Sequence, residues 1–353
     1  MVIRIGTWNL ENLFKPPNPF APKTEEEYQA KLDALASAIT RMDPDVLAVQ
    51  EVGDPVALGE LADRVGGTWH IETAAPETGT DHTIRVAVLS RLPLTTFDPV
   101  AAFPDKLRAI QQGDKPTENT TAMGRPALHV RVHVQDTDID LIAAHFKSKL
   151  LTFPNGRFSP LDEGERARFG AYALYRRAAE AVTVRATATD LLKSDHEASV
   201  MVLGDLNDEV EAATTQILNG PTGSEIGTGG FNQPDHGDRQ RLWNLAPRIP
   251  EAQRFSRIYR GRKELIDHIF VSHALVGKIA QDHVTTDAAG PTPSIDDDPT
   301  ERRGAPGSDH RPVLASINTQ PGSRYPVSRL ARSQQHGARA PCRSSRSSRP
   351  GSS

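Results

Sequence analysis

Short runs of aliphatic and β-branched residues recur along the chain, separated by stretches rich in Gly, Pro and Asn, and most of them stop at a polar or ionisable residue. The first, over residues 2–8, passes into Asn9-Leu10-Glu11-Asn12, and the second, over 45–49, delivers Gln50 and Glu51. Further strands are expected over 84–89, 127–134, 139–144, 200–203, 255–259, 265–271 and 313–317, with a hairpin turn at Asp136-Thr137. Helical spacing takes over between them. Leu32, Leu35, Ile39 and Met42 share one face of a helix that opens at Thr24, an N-cap with Glu27 as its capping-box partner, and closes before Pro44. Two more helices are predicted over 56–65 and 165–192, and a further one after Asp208. The alternation of strands and helices makes this an α/β chain.

Composition adds a boundary. Residues 320–353 carry seven Arg, no Lys, Asp or Glu, and almost no large apolar side chains, so they are expected to be a disordered tail. Residues 1–319 are then one large folded domain, and removing the tail's arginines leaves it 34 basic and 45 acidic side chains, a net of −11. A surface this acidic does not bind nucleic acid through bulk charge, although bound cations reverse the local field of a site. The start of the chain lacks the apolar run of a secretory signal and no long apolar stretch follows, which suggests a cytoplasmic protein without a transmembrane segment. The single cysteine, Cys342, lies in the tail, so a metal in the folded part must use oxygen or imidazole ligands.

The residues that end the strands are the candidates for chemistry: Asn9 and Glu11, Gln50 and Glu51, His145, Asp205 and Asn207, Asp267 and His268, Asp309 and His310. In sheet-based folds strand ends gather on one rim, so these residues can meet in one cleft. Hard oxygen donors with imidazoles suit Mg²⁺ or Mn²⁺. They also supply what phosphoester hydrolysis needs: a cation, an activated water and a proton donor. Each residue alone has a plainer reading. Asn9 can be a turn residue, Asp205 and Asp208 a helix cap, His145 a satisfied core histidine, and Asp309-His310 an Asx turn before Pro312. Lys147 and Lys149 follow His145 at alternating positions and, by charge and spacing, are candidates for holding a substrate phosphate. Arg85 and Arg125 are weaker candidates for the same role. The Arg-rich helix over 165–192 reads as a salt-bridged surface. The loop over 150–164 follows His145 directly and is expected to border the cleft.

Taken in order, Thr7-Trp8-Asn9-Leu10-Glu11-Asn12, Gln50-Glu51-Val52, His145-Phe146-Lys147-Ser148-Lys149, Gly204-Asp205-Leu206-Asn207-Asp208, Ile266-Asp267-His268-Ile269 and Ser308-Asp309-His310-Arg311-Pro312 resemble the endonuclease/exonuclease/phosphatase superfamily. The resemblance implies a DNase I-like α/β sandwich of two sheets, four-layered, with helices on the outer faces. It implies that Glu51 binds the metal with Asn9 beside it and Asp309 as a further ligand. By the same resemblance Asp205 and Asn207 position the attacking water and phosphate oxygens, and His310, oriented by Asp267, is a general base or a phosphate-polarising imidazole. His145 is similar to the histidine of DNase I-type members, where abasic endonucleases carry a tyrosine.

The activity that follows is a Mg²⁺- or Mn²⁺-dependent phosphoester hydrolase, first of all a phosphodiesterase or nuclease, with a phosphate ester, foremost nucleic acid, as partner and no obligate protein partner implied. A phosphomonoesterase or a sphingomyelinase-like enzyme on the same scaffold is the alternative. A non-catalytic binding protein would have lost one of Glu51, His145, Asp205, Asn207, Asp267, Asp309 or His310, and all are present. An acyl hydrolase lacks its Gly-x-Ser-x-Gly elbow.

Overall fold

The computed structural model describes residues 1–74, 84–115, 117–135, 137–286, 290–298 and 301–320. The tail beyond residue 320, and residue 136 of the expected hairpin turn, lie outside the described residues. Two large sheets face each other. One has six strands in the order Ile279–Thr285, Val313–Asn318, Val2–Leu13, Val46–Val52, Arg85–Ser90, His70–Thr73. The other has seven: Leu242–Asn244, Asp267–Ser272, Ser199–Asp205, Thr137–His145, Ala122–Val134 and Leu94–Thr96 in order, with Val100–Ala102 also pairing Ala122–Val134.

Period-two alternation sorts the side chains into layers. Ile3, Ile5, Val46 and Ala48 of the first sheet meet Ile139, Leu141, Ala143, Met201, Leu203, Ile269 and Val271 of the second in a shared core. Their neighbours turn outward. Trp8, Leu10, Leu47 and Val49 pack under α1 (Glu25–Met42) and α2 (Pro55–Val65). Ile142, Ala144, Val200, Val202 and Phe270 pack under α3 (Glu163–Ser194). The result is the helix–sheet–sheet–helix layering that the motifs imply.

Local signals fix the helix ends. Thr24 Oγ1 accepts the Glu27 amide at 3.2 Å, and Glu27 returns to the Lys23 amide at 2.8 Å, one residue earlier than a standard capping box. Asp43 turns left-handed (φ 45°) ahead of Pro44. Asp162 caps α3 by accepting the Glu165 amide at 2.8 Å. The helix expected after Asp208 is a short one, Ala213–Leu218, and Asp208 accepts from Arg177 and Thr214 and does not cap it. No described helix is long and apolar enough to cross a membrane.

Topology then gathers one rim. Val2–Leu13 runs parallel to Val46–Val52, and Thr137–His145 parallel to Ser199–Asp205, while Asp267–Ser272 and Val313–Asn318 run antiparallel to them. The C-terminal ends of the first four strands therefore meet the N-terminal ends of the last two. His145 lies opposite Asp205, and Asp205 opposite Asp267. Gly204 makes that close pairing possible, for a Cβ there would stand 1.9 Å from the Ala144 carbonyl oxygen and its φ is 150°.

Candidate active site

At this rim the inward-facing rows change character. The alternation that places Ala143, Leu203 and Ile269 in the shared core carries on to His145, Asp205 and Asp267, so the end of the core is the floor of the cleft. A cleft of about 290 Å³ opens above it, lined by Glu11, Glu51, His145, Lys149, Asp205, Asn207, Asp309 and His310 among others.

Asp205 is the hub. Its Oδ2 lies 3.5 Å from His145 Nε2 and 3.9 Å from His310 Nε2, and accepts the Asn9 amide at 3.0 Å. Burial, with the Asp267 charge next, pushes its carboxyl up to about 6. His310 Nδ1 meets Asp267 Oδ2 at 2.7 Å. Burial would depress this imidazole, but Asp267, Asp309 and Asp205 together raise it to about 10, so it keeps its proton at neutral pH. Burial pushes His145 the other way, with Arg125 adding to it, and that ring is neutral. Its Nδ1 is buried without a hydrogen-bond partner among the described residues.

Backbone devices hold these groups. Trp8 Nε1 donates to the His310 carbonyl at 2.9 Å, Ser308 Oγ to the Asn9 carbonyl at 2.7 Å, and Ser256 Oγ accepts the Asp267 amide at 3.1 Å. Glu11, Asn12, Glu51 and Asn207 all adopt positive φ, between 52° and 61°. Four non-glycine residues in that region at one rim mark backbone bent to aim side chains into the cleft.

The other wall carries the acids Glu11, Glu51 and Asp309. Glu51 accepts the Asn9 amide at 3.0 Å and the Asn12 backbone amide at 2.8 Å, and no described cation pairs with it. Burial and the Asp309 charge lift Glu11 to about 7. Such crowding of carboxylates fits a divalent metal, and the hard-oxygen donor set favours Mg²⁺ or Mn²⁺. Ligand atoms of Asp205, Asp267 and His310 also lie within 4.8 Å of one another. That trio is the poorer cage, because His310 Nδ1 is already engaged by Asp267 at 2.7 Å, whereas Glu51 lines the cleft.

The basic candidates divide. Lys149 lines the cleft, paired with Asp208 at 3.2 Å. Lys147 does not: the strand ends at His145, alternation lapses, and its amine turns back to the Leu150 carbonyl at 2.7 Å. Arg125 is half-buried beside His145, donating to the carbonyls of His145 and Phe146, and lines the neighbouring cavity instead of this cleft. Arg85 donates to the Gly53 carbonyl at 2.8 Å and lines neither this cleft nor its neighbour. Arg125 and Lys147 thus act on the His145 strand end.

The sequence reading missed other supports. Arg177 and Glu180 of α3 are buried, not a solvated face: Arg177 bonds the Lys147 carbonyl at 3.0 Å and Asp208 at 3.1 Å, and Glu180 accepts the Lys147 amide at 2.6 Å. Arg302 holds Glu11 with two bonds of 2.8 and 3.0 Å, and Glu11 in turn accepts the Asp309 amide at 2.8 Å. Glu11 stood in the motif, but nothing near it in sequence pointed to a partner 291 residues away. His268 faces the outer layer, its Nε2 2.9 Å from the Asp208 carbonyl oxygen, and is structural.

Comparison with known proteins gives the family and the fold. The model of the Endonuclease/Exonuclease/phosphatase family matches residues 6–310. No curated protein matches the chain. Among solved structures it is similar to truncated TDP2 from Caenorhabditis elegans (14% identity, TM-score 0.50, covering 90% of this chain and 98% of that one). An endonuclease/exonuclease/phosphatase family protein from Bacteroides thetaiotaomicron is similar too (12%, 0.51, 90% and 98%). So is a mannosyl-6-phosphatase from the same organism (13%, 0.50, 89% and 98%). At such identity these likenesses speak for the fold alone.

Proposed function

The chain belongs to the Endonuclease/Exonuclease/phosphatase family and is a phosphoester hydrolase, and from that premise we propose that it is a Mg²⁺- or Mn²⁺-dependent phosphodiesterase, with residues 1–319 as the catalytic unit. The observation that carries this reading is Asp205, a buried carboxyl raised to about 6 and set between one protonated and one neutral imidazole.

A carboxylate with a pKa of about 6 is a fit proton acceptor for an attacking water. Asn207 stands beside it, its Nδ2 bonded to the Phe146 carbonyl at 3.1 Å, and helps place that water. His310, protonated, offers charge and a hydrogen bond to a phosphoryl oxygen, so of its two possible roles the polarising one is favoured. Neutral His145 faces the same phosphate. Glu51 and Asp309 would hold the metal, with Asn9 orienting Glu51. When bound, the cation supplies charge neutralisation at the phosphate oxygens.

Diesters are favoured over monoesters by charge. The lysine and arginines that line the cleft, Lys149, Arg257 and Arg302, are already paired with Asp208, Glu264 and Glu11, and protonated His310 is paired with Asp267. That leaves little positive charge for the second negative charge of a monoester. Nucleic acid is the first polymer to test. Single strands suit the cleft better than duplex, because Asp296, Asp297, Asp298 and Glu301 line it as well. The experiment offers the full chain with Mg²⁺ or Mn²⁺ a chromogenic diester, the matching monoester, single-stranded DNA and plasmid. Metal-dependent turnover led by the diesters is expected; turnover of the monoester alone would reject the reading.

A further inference from the structure

Beside the catalytic cleft lies a second cavity of about 360 Å³, and the two share Glu51, His145, Leu150 and Arg302 among their walls. Four basic side chains line it, Lys31, Arg125, Arg302 and Arg303, against two acids, Glu11 and Glu51. Arg302 is matched by Glu11. Glu51 faces the metal in the reading above, so the other three have no acid of the wall left to them. Residues 1–319 as a whole run the other way, with 34 basic and 45 acidic side chains.

Each of these three gives its hydrogen bonds to main-chain carbonyls, which leave its charge in place. Lys31 is 4% exposed, and its Nζ donates to the Gly307 carbonyl at 2.8 Å. Burial pulls its pKa down, with the charges of Glu11 and Asp309 opposing the shift. Arg125 donates to the carbonyls of His145 and Phe146, and Arg303 Nε to the carbonyl of buried Ala21 at 2.8 Å. None of the three forms an ion pair among the described residues. A charge withdrawn from water without a counter-ion is costly. Charges of one sign around a partly apolar wall, here Pro19, Pro22 and Ile84, concentrate the opposite ion.

We propose that this cavity is a subsite for a second phosphate group of the substrate, held by Lys31, Arg125 and Arg303 next to the phosphate that is cleaved. The proposal rests on the hydrolase reading above and narrows the substrate to one whose phosphates stand a few bonds apart. A group in the cavity lies against Glu51 and His145, so it belongs to the molecule whose phosphate those residues face. Lys31 and Arg303 each keep N–H donors beyond the one in use, and guanidinium and ammonium groups are the donors that phosphate oxygens favour. The size is at the small end of ligand pockets, room for a phosphate and the atoms that link it. Neighbouring phosphates of a nucleic acid strand and those of a small ester phosphorylated twice share this chemistry.

The test is calorimetry on the full chain with Mg²⁺, using propane-1,3-bisphosphonate and propylphosphonate, whose C–P bonds resist hydrolysis. The bisphosphonate is expected to bind about tenfold more tightly, the scale of one charge-assisted hydrogen bond. R303Q, at an exposed position, and K31M should each remove most of that preference and leave propylphosphonate affinity within about twofold. R303K should keep part of it, because the charge remains. With the preference present, a phosphorothioate trithymidylate that binds R303Q more weakly than wild type would identify the second phosphate as the next one along a nucleic acid strand; equal binding to both would identify a small ester. Equal binding of the two phosphonates, or variants that weaken both alike, would overturn the subsite. Should K31M fail to fold, R303Q beside R303K decides the matter. Absence of diester turnover with the bisphosphonate preference intact would instead reject the hydrolase reading and leave the anion site standing.

Discussion

His310 and Asp267 form a pair in which the imidazole Nδ1 lies 2.7 Å from a carboxylate that is wholly buried. Oδ1 of the same carboxylate has no hydrogen-bond partner among the described residues. The pair fixes the ring, and with it where Nε2 stands relative to Asp205. Asp267→Asn should therefore leave the ring without its counter-charge and lower turnover by roughly 10²-fold, the scale of a lost acid or base, while metal affinity measured by calorimetry stays near wild type. A large loss of metal affinity in this variant would show that Asp267 is a ligand.

Stability should depend on pH with a definite sign. The folded pKa values of Asp205 (about 6), Glu11 (about 7) and His310 (about 10) all lie above their ordinary values of 3.8, 4.5 and 6.5. Each group thus contributes stability that is full below its unfolded pKa and fades as pH rises through the folded one. Metal-free protein should lose melting temperature from about pH 4 to 7 as the two acids ionise, and further from about pH 6.5 to 10 through His310. Added Mg²⁺ should raise the melting temperature more at pH 7.5 than at pH 5. A metal effect that is equal at both values, in thermal scans, would contradict the acid cluster as the binding site.

Gly204 lets two strands that carry catalytic candidates pair closely. Its φ of 150° and the 1.9 Å approach of a Cβ to the Ala144 carbonyl oxygen leave no room for a side chain. Gly204→Ala should destabilise the fold by on the order of 3 kcal/mol, with His145 and Asp205 displaced. Denaturant unfolding of this variant checks it, and wild-type stability would mean that the strands part easily.

Arg177 supports the His145 segment from α3 and lines neither cavity. Arg177→Met should lower kcat with little change in KM, because the neutral ring would be misplaced while binding surfaces remain. A rise in KM alone would point instead to direct substrate contact.

The chain declared its rim more clearly than its edges. Val46–Val52 and Ser199–Asp205 are apolar runs that end in Glu51 and Asp205, so both the strand and its chemistry could be read from local order. Strands such as His70–Thr73, Leu94–Thr96 and Leu242–Asn244 are too short for a period to be visible, and only their neighbours hold them. The polarity of α3 misled in a physical way: Arg177 and Glu180 look solvated in sequence and are buried because they serve main-chain groups of the 145–148 segment. Arg302 meets Glu11 only after the whole chain has folded, and no spacing rule foresees it. The alternation that picked out 145, 147 and 149 assumed a strand that continues, and it stops at His145.

The account turns on a division of labour between Glu51, which faces a cation, and His310, which faces the phosphate. The most direct measurement sets metal calorimetry beside diester turnover for Glu51→Gln and His310→Ala. Glu51→Gln should weaken metal binding and activity together, with activity partly restored at high metal, and His310→Ala should keep most of its metal affinity while losing roughly 10²-fold in turnover. Full activity in His310→Ala, or unchanged metal affinity in Glu51→Gln, would contradict it.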